Sequence, residues 1–129
     1  MAMSASASRA AANPLLHILK DTLTASVASD GPDFTARQLS MFLKVYLEPG
    51  TEHTVRGLAA ALNISKPAIS RALNRLEEFD LTKREKDASD RRSVIVRRTH
   101  KGSTYLGTLN GYVNAASKAA DKLAKNSTP

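Results

Sequence analysis

The sequence predicts a mainly α-helical fold that carries one small antiparallel β-hairpin. Two short amphipathic patterns are separated only by Asn63 and Ile64, and two strand-like runs follow at 81–87 and 93–98, with a turn at 88–92. Helical stripes flank this block on both sides. Two short helices across so tight a break form a helix-turn-helix, to which the hairpin adds a wing. We therefore predict a winged helix-turn-helix core with flanking N- and C-terminal helices.

Composition and charge narrow the class of protein. Of the 129 residues, 42% are hydrophobic but only 5% are aromatic, which indicates an aliphatic, helix-rich interior in one modest domain. The absence of Cys excludes disulfides, thiolate metal sites and a cysteine redox switch. No stretch approaches the roughly 18 to 20 apolar residues of a membrane helix, and no signal peptide is recognisable, so we expect a cytoplasmic protein. The net charge of +7 favours a polyanion, such as nucleic acid or an acidic membrane surface, as partner.

The first helix should open at Asn13 and Pro14, a favoured cap followed by a favoured first residue. The run Asp30-Gly31-Pro32 ends it. Its apolar stripe consists of Leu15, Leu16, Leu19, Leu23 and Val27. Because this helix lies outside the helix-turn-helix, which has its own core, we interpret the stripe as a subunit interface. Core packing within one subunit is the alternative.

The second helix begins at a capping box of Thr35 and Gln38. Its apolar residues, which should pack beneath the following helices, are Leu39, Phe42, Leu43, Tyr46 and Leu47, and Glu48-Pro49-Gly50 should end it. The third helix starts at Thr54 and ends at Asn63, a residue that tolerates the left-handed backbone conformation. The stretch 52–55 is a candidate third strand of the wing sheet.

The fourth helix begins at Ser65, whose hydroxyl can cap the free amides of the next turn. One face of this helix is apolar, and the other carries Arg, Asn and Ser. Arg suits guanine or phosphate, Asn suits adenine, and Ser can bond to either kind of partner. We predict that this face contacts DNA through Ser65, Lys66, Pro67, Ala68, Ser70, Arg71, Asn74 and Arg75. An ordinary solvated helix face is the alternative.

The hairpin is strongly basic, with eight Lys or Arg against three Asp or Glu from Lys83 to Lys101. Such an excess suits the phosphate backbone, and Arg91 and Arg92 at the tip can reach the narrow, negative minor groove. The residues of the hairpin that we assign to DNA are Lys83, Arg84, Lys86, Asp90, Arg91 and Arg92.

Thr99 can cap a final helix whose apolar residues recur at helical spacing. Gly107 and Gly111 lower its intrinsic stability by roughly 1 kcal/mol each relative to Ala. They indicate either a tight crossing with the first helix of a second copy or a frayed helix. The residues that we assign to the subunit interface are Tyr105, Leu109, Tyr112, Val113 and Ala116, together with Leu15, Leu16, Leu19 and Leu23 of the first helix.

Residues 35–102 carry a further set of motifs, of which the most specific is Asp90-Arg91-Arg92 followed by Val-x-Val-x-x-Thr-x-x-Gly up to Gly102. The others are Leu58-Ala59, Leu62 to Arg71, Leu76-Glu77, Leu81, Arg84 and Asp87. Together they resemble the multiple-antibiotic-resistance-regulator (MarR) family. The resemblance implies a dimeric bacterial transcription factor, usually a repressor, with one helix in the major groove and a wing in the minor groove. By this resemblance Asp90 braces the wing, and Arg92, with Arg91, enters the minor groove.

The chain departs from the family pattern at three places. Asp80 stands where the family usually has Gly, and we expect the same turn because Asp can adopt that conformation. Arg98 replaces an apolar residue, and the C-terminus has room for about one long helix where the family typically has two. The family resemblance also implies a small-molecule effector, but the sequence identifies no residues that would line its pocket.

The sequence carries no recognisable catalytic or metal-binding constellation. The three histidines, which we expect to be solvated or locally bonded, fall in different elements: His17, His53 and His100. A Gly-rich phosphate loop and a His-Glu-x-x-His pair are both lacking. We expect structural or solvating roles for the carboxylate pairs Glu77–Glu78 and Asp87–Asp90. We therefore predict no enzymatic activity, no metal and no cofactor.

These observations predict a homodimeric, sequence-specific transcriptional regulator on a palindromic DNA site. Within one domain over 13–125, residues 34–98 would be the DNA-binding core, and 13–30 and 99–125 the dimerisation helices. Residues 1–12 would be a disordered tail and 126–129 a second tail. Two alternatives are a non-specific architectural DNA-binding protein and a winged-helix module that docks a protein partner.

Overall fold

The computed structural model describes residues 2–48, 50 and 52–126. Its elements are α1 (Ala5–Ala11), α2 (Pro14–Ala28), α3 (Ala36–Leu47), α4 (Val55–Leu62), α5 (Lys66–Glu78), β1 (Thr82–Lys86), β2 (Val94–Arg98) and α6 (His100–Asn126). The predicted fold class is confirmed, since a mainly helical chain carries one antiparallel pair of strands. The chain divides into two compact units, which we call the core unit (34–106) and the terminal unit (residues up to 33 and from 107 onward).

The predicted helix starts are confirmed by side-chain caps. The hydroxyl of Thr35 accepts a 3.1 Å hydrogen bond from the amide of Gln38, whose side-chain oxygen accepts one of 2.9 Å from the amide of Thr35. The cap distances at Asn13, Thr54, Ser65 and Thr99 are 3.0, 2.9, 3.3 and 2.9 Å. Each cap pairs an amide that the first helical turn leaves without a partner.

Among the described residues, two other than glycine adopt the left-handed backbone conformation, and each lies at or just after the end of a helix of the core unit. Asn63 ends α4 with φ 53°, and Asp80, just after α5, has φ 58°. Asn and Asp tolerate this conformation because their short polar side chains can hydrogen-bond locally. Both predicted turns are therefore confirmed, and Asn63 reverses the chain closely enough to set α5 directly after α4.

The wing is an antiparallel hairpin whose register pairs Thr82 with Arg98 and Lys86 with Val94. Both strands are shorter than predicted. The amide of Val96 also donates a 2.8 Å hydrogen bond to the carbonyl of His53, and Thr54 forms an isolated bridge with Ile95. The candidate third strand is thus one bridge beside β2.

The hydrophobic centre of the core unit is formed by the inner faces of α3, α4 and α5 and by the wing base. Its most buried side chains are Met41, Phe42, Val45, Leu58, Ile69, Leu73 and Leu76, with Leu81, Ile95 and Val96 closing it on the wing side. Phe34 packs edge-on against Phe79 and Tyr105, with ring centroids 5.6 and 5.7 Å apart. Leu47, predicted to pack here, is the last residue of α3 and is exposed.

The prediction of a disordered tail over residues 1–12 is wrong for residues 5–11, which form α1. Ala has the highest helix propensity, and the hydroxyl of Ser4 caps the helix by accepting a 3.1 Å hydrogen bond from the amide of Ala7. Asn126, the start of the predicted second tail, is the last residue of α6. Residues 1, 49, 51 and 127–129 lie outside the described residues. Within the described ranges, no helix is long and apolar enough to cross a membrane.

Candidate nucleic-acid interface

The outer face of α5 carries most of the predicted DNA contacts. Lys66, Pro67, Arg71 and Asn74 are exposed, and Ser65 is exposed at the cap position. Ser70 is half-buried. Ala68 is the exception, because only 7% of it is exposed. It lies one turn before Ala72, on the buried side of the helix, so its assignment to the outer face is corrected.

Arg75 is held along the end of α5 rather than projecting freely. Its guanidinium forms a 2.9 Å ion pair with Glu78 and lies 4.7 Å from the centroid of the Phe79 ring. Both contacts engage a guanidinium that the sequence predicted to bind DNA. Its role in binding stays a prediction.

Arg84, predicted as a phosphate contact of the wing, is directed back at α5. Its Nε lies 3.2 and 3.1 Å from the two carboxylate oxygens of Glu77, and its backbone amide donates to the same carboxylate at 2.9 Å. Its Nη2 donates to Glu77 and also to the side-chain oxygen of Asn74. Arg84 therefore links β1 to α5 through half-buried contacts.

The wing tip is shaped by two aspartates that accept hydrogen bonds from neighbouring amides. Asp90 accepts at 3.1 Å from the amide of Arg92, and its carbonyl accepts at 2.9 Å from the amide of Ser93. Asp87 accepts from the amide and hydroxyl of Ser89 at 2.9 and 2.8 Å. These two bonds, the backbone one first, lower the pKa of the Asp87 carboxyl. The turn presents Arg91 and Arg92 as exposed side chains.

Part of the positive charge of the wing is offset within the sheet. The Glu85 carboxylate accepts from Arg97 at 3.1 Å and forms a 3.2 Å ion pair with Lys83. These partners, Arg97 first, lower the pKa of Glu85. Among the described residues, Lys86 has no ion-pair partner, and the same is true of Lys66, Arg71, Arg91 and Arg92. These unpaired cations are available to a polyanion.

A groove of about 170 Å³ joins the wing tip to the starts of α4 and α5. Its cationic lining residues are Arg56, Lys66 and Arg92, and Thr54, Asp90 and Ser93 add polar groups. The sequence analysis did not assign Arg56 to DNA. Its position in the first turn of a helix capped by Thr54 could have indicated a phosphate contact. Arg37 was also missed; it lines a shallow depression that Arg71 shares. The basic surface is therefore wider than α5 and the wing alone.

The apolar stripe of α2 is uncovered in the single chain. Leu15, Leu16, Leu19, Leu23 and Val27 are 43 to 69% exposed, and Val113 on α6 is 40% exposed. Four predicted interface residues do not share this exposure. Leu109 and Ala116 are buried, and Tyr105 is half-buried with its ring 5.2 Å from that of Phe42. Tyr112 is half-buried as well. Leu109 and Ala116 therefore do not lie on an open face of the single chain, and the subunit interface stays a prediction.

Two of the three histidines are bonded locally to the main chain. His17 Nε2 lies 2.6 Å from the carbonyl of Ala11, and His53 Nε2 lies 3.0 Å from that of Glu48. In the described part of the chain, no three His, Asp or Glu side chains are grouped as metal ligands would be.

Known proteins resemble this chain both in sequence and in fold. A model of the MarR family matches residues 33–93. A solved structure of MarR is 27% identical, with a TM-score of 0.58 over 74% of this chain and 66% of that one. The transcriptional regulator BldR from Sulfolobus solfataricus is 28% identical, with a TM-score of 0.54 over 64% and 57% of the two chains. No curated protein sequence matches the chain.

A third solved structure, the MepR–DNA complex of S. aureus, is 20% identical with a TM-score of 0.65 and covers 94% of this chain and 93% of that one. At this identity the likeness concerns the fold. This chain spans 66% and 57% of the lengths of MarR and BldR, and the family model spans α3 to the wing tip. The matched segment thus contains α5, the groove and both tip arginines.

Proposed function

Because a model of the MarR family matches residues 33–93, we propose that the chain is a member of this family and a sequence-specific, DNA-binding transcriptional regulator. The observation that carries the proposal is the set of exposed, unpaired cations on α5 and the wing, with Lys66 and Arg92 lining one groove. Such cations release counterions from DNA when they neutralise phosphates. We assign no catalytic role to the chain.

In the proposed complex, α5 enters the major groove, where Ser70, Arg71 and Asn74 face the bases. The second helix of a helix-turn-helix contacts base edges in this way. The wing tip, with Arg91 and Arg92, enters the adjacent minor groove, which attracts arginine where it is narrow. The groove at the start of α4 adds Arg56 as a phosphate contact. The DNA of the S. aureus MepR complex supports this mode of binding by likeness of fold.

The regulator acts as a homodimer in this proposal. The exposed leucines of α2 form an apolar stripe, which a second copy of the chain would cover. An added Cβ at Gly107 or Gly111 would meet no atom within 4 Å, so α6 offers a low surface where another helix could approach. Two copies place their α5 helices in successive major grooves, about 34 Å apart, on a palindromic site. A protein bound across an operator would act as a repressor.

Selection of binding sites from a random duplex library, at about 0.15 M salt, tests this proposal. We expect an enriched inverted repeat whose half-sites are about one helical turn apart. Binding without an enriched motif would contradict sequence-specific regulation and would favour a non-specific architectural role. Absence of binding at this and at lower salt would favour a protein-docking module or a regulator that requires a small-molecule effector.

A further inference from the structure

The side-chain amide of Asn74 is held in one orientation by Arg84, which donates to its oxygen. Asn74 is exposed on the outer face of α5, four residues beyond Ser70. Its side-chain oxygen accepts a hydrogen bond from Nη2 of Arg84. A guanidinium has donors but no acceptor, so the group of Asn74 that meets Arg84 has to be the oxygen. The amide nitrogen, with two donor hydrogens, is left on the other side.

Arg84 is itself fixed in place by Glu77. The two carboxylate oxygens of Glu77 lie within 3.2 Å of Nε of Arg84, and the same carboxylate accepts from the Arg84 amide at 2.9 Å. Only 27% of the Arg84 side chain and 26% of the Glu77 side chain are exposed. Charge-assisted, bidentate bonds of this kind define the orientation of both groups. Glu77 therefore aims Arg84, and Arg84 orients the amide of Asn74.

The orientation matters because Asn usually recognises adenine with both of its polar atoms. The oxygen accepts from N6 of adenine while the nitrogen donates to N7. Arg84 engages one of the two lone pairs of this oxygen and holds the amide in one orientation, so the donor is the group of Asn74 that stays free to meet a base. A donor finds N7 on either purine, but guanine adds the acceptor O6 where adenine presents the donor N6, and thymine presents O4. Guanine or thymine is therefore favoured over adenine.

On the basis of the proposed DNA-binding function, we infer that Asn74 acts chiefly as a donor that reads guanine or thymine in preference to adenine, and that Arg84 is the positioning residue that disfavours adenine. This reverses the assignment of Asn74 to adenine that residue type alone suggested. It also gives Arg84 a role in specificity without contact with a base.

The test repeats the site selection with wild-type protein, Asn74→Ala and Arg84→Ala. Arg97→Ala is the matched control, since Arg97 is an arginine of the same sheet that bonds Glu85 and lies outside the proposed DNA contacts. The position whose base preference disappears in Asn74→Ala is the one that Asn74 reads. We expect guanine or thymine there in the wild type. In Arg84→Ala, where the oxygen of Asn74 is free, we expect adenine to gain roughly fivefold to a hundredfold over guanine at that position alone.

A purely structural role of Arg84 would lower affinity on all duplexes without moving one base preference, and that outcome would overturn the inference. Adenine at the Asn74-dependent position of the wild-type motif would overturn it too. This second readout needs only the wild type and Asn74→Ala, so it does not depend on the folding of Arg84→Ala. An Asn74→Ala motif identical to that of the wild type would remove the base-reading role. Wild-type protein that binds no duplex would contradict the proposed function itself, a result distinct from the others.

Discussion

The hydroxyl of Tyr46 donates a 2.6 Å hydrogen bond to the carbonyl oxygen of Leu81, and it accepts one of 3.0 Å from the amide of Thr99. Leu81 directly precedes β1, and Thr99 directly follows β2. Tyr46 is only 7% exposed. One buried phenol on α3 therefore ties down both ends of the wing.

Replacement of this phenol should destabilise the chain without removing its hydrophobic contacts. In Tyr46→Phe the carbonyl of Leu81 loses its 2.6 Å donor, and we expect a loss of about 1 to 3 kcal/mol in the free energy of unfolding. Urea titration followed by circular dichroism measures it. Tyr112→Phe is the control, since the hydroxyl of Tyr112 has no hydrogen-bond partner among the described residues. Equal stability of the two variants would show that Tyr46 does not hold the wing.

Arg71→Ala should weaken binding to the selected site more than binding to random duplexes. An arginine at a base edge contributes about 1 to 3 kcal/mol of discrimination, and one at a phosphate contributes similarly on any sequence. Fluorescence anisotropy with both duplexes measures the two losses. Arg9→Ala removes the same charge from α1 and should change neither affinity appreciably. Equal losses for Arg71→Ala on the two duplexes would assign Arg71 to the phosphate backbone.

Asp90 should matter for its acceptor oxygen rather than for its charge. Its carboxylate accepts from the Arg92 amide at 3.1 Å, a bond that Asn can also form and Ala cannot. Asp90→Ala and Asp90→Asn remove the same negative charge. We expect Asp90→Ala to bind DNA roughly twofold to tenfold more weakly than Asp90→Asn, the equivalent of one hydrogen bond. Two variants with matching affinity would mean that the tip keeps its shape without this bond.

Leu19→Glu should weaken the proposed dimer. Leu19 is 53% exposed on α2, and burial of a leucine is worth about 1.5 to 3 kcal/mol, so its loss in both copies shifts the dimer dissociation constant by more than about tenfold. Sedimentation equilibrium measures the shift. Lys20→Glu introduces a larger charge change at the next position, where the side chain is paired with Asp21 at 2.9 Å, and should remain dimeric. A dimeric Leu19→Glu would place the interface elsewhere.

The turn at Asp87 should loosen only in acid. Its pKa lies below the ordinary value of 3.8, so the folded turn favours the carboxylate. This contribution is complete above 3.8 and is lost as the pH falls through the lowered value. An NMR titration of the Asp87 carboxyl carbon should show that Ser89→Ala raises the pKa toward 3.8, since the substitution removes the hydroxyl donor at 2.8 Å. Ser103→Ala, on α6, should leave the titration unchanged.

The features predicted correctly from the sequence are those set by neighbours along the chain. The capping box at Thr35 and the left-handed turn at Asn63 depend on residues within a few positions. The basic character of the wing likewise follows from composition. Helix α1 is the local feature that was missed, because an Ala/Ser-rich run without apolar residues gives no amphipathic signal.

The structural features that could not be predicted depend on contacts between residues that are distant along the chain. An added Cβ at Gly102 would overlap the hydroxyl of Tyr46, which is far away along the chain, so the need for glycine there appears only in three dimensions. Arg84 was predicted to contact phosphate because its ion pair with Glu77 could not be seen in the sequence. That pair forms only when the turn between α5 and β1 brings the two side chains together. Burial of Leu109 likewise could not be read from helical spacing, which is the same for a core residue and an interface residue.

The isolated bridge between Thr54 and Ile95 has a consequence for solubility, since a two-stranded sheet has two edges that could pair with another molecule. The bridge and the bond from Val96 to His53 cover part of the β2 edge. The β1 edge is lined by Lys83, Arg84, Glu85 and Lys86, an unbroken charged run. Charged edge strands resist edge-to-edge aggregation. The lysines and arginine of β1 thus protect the hairpin against edge-to-edge pairing with the strands of another molecule.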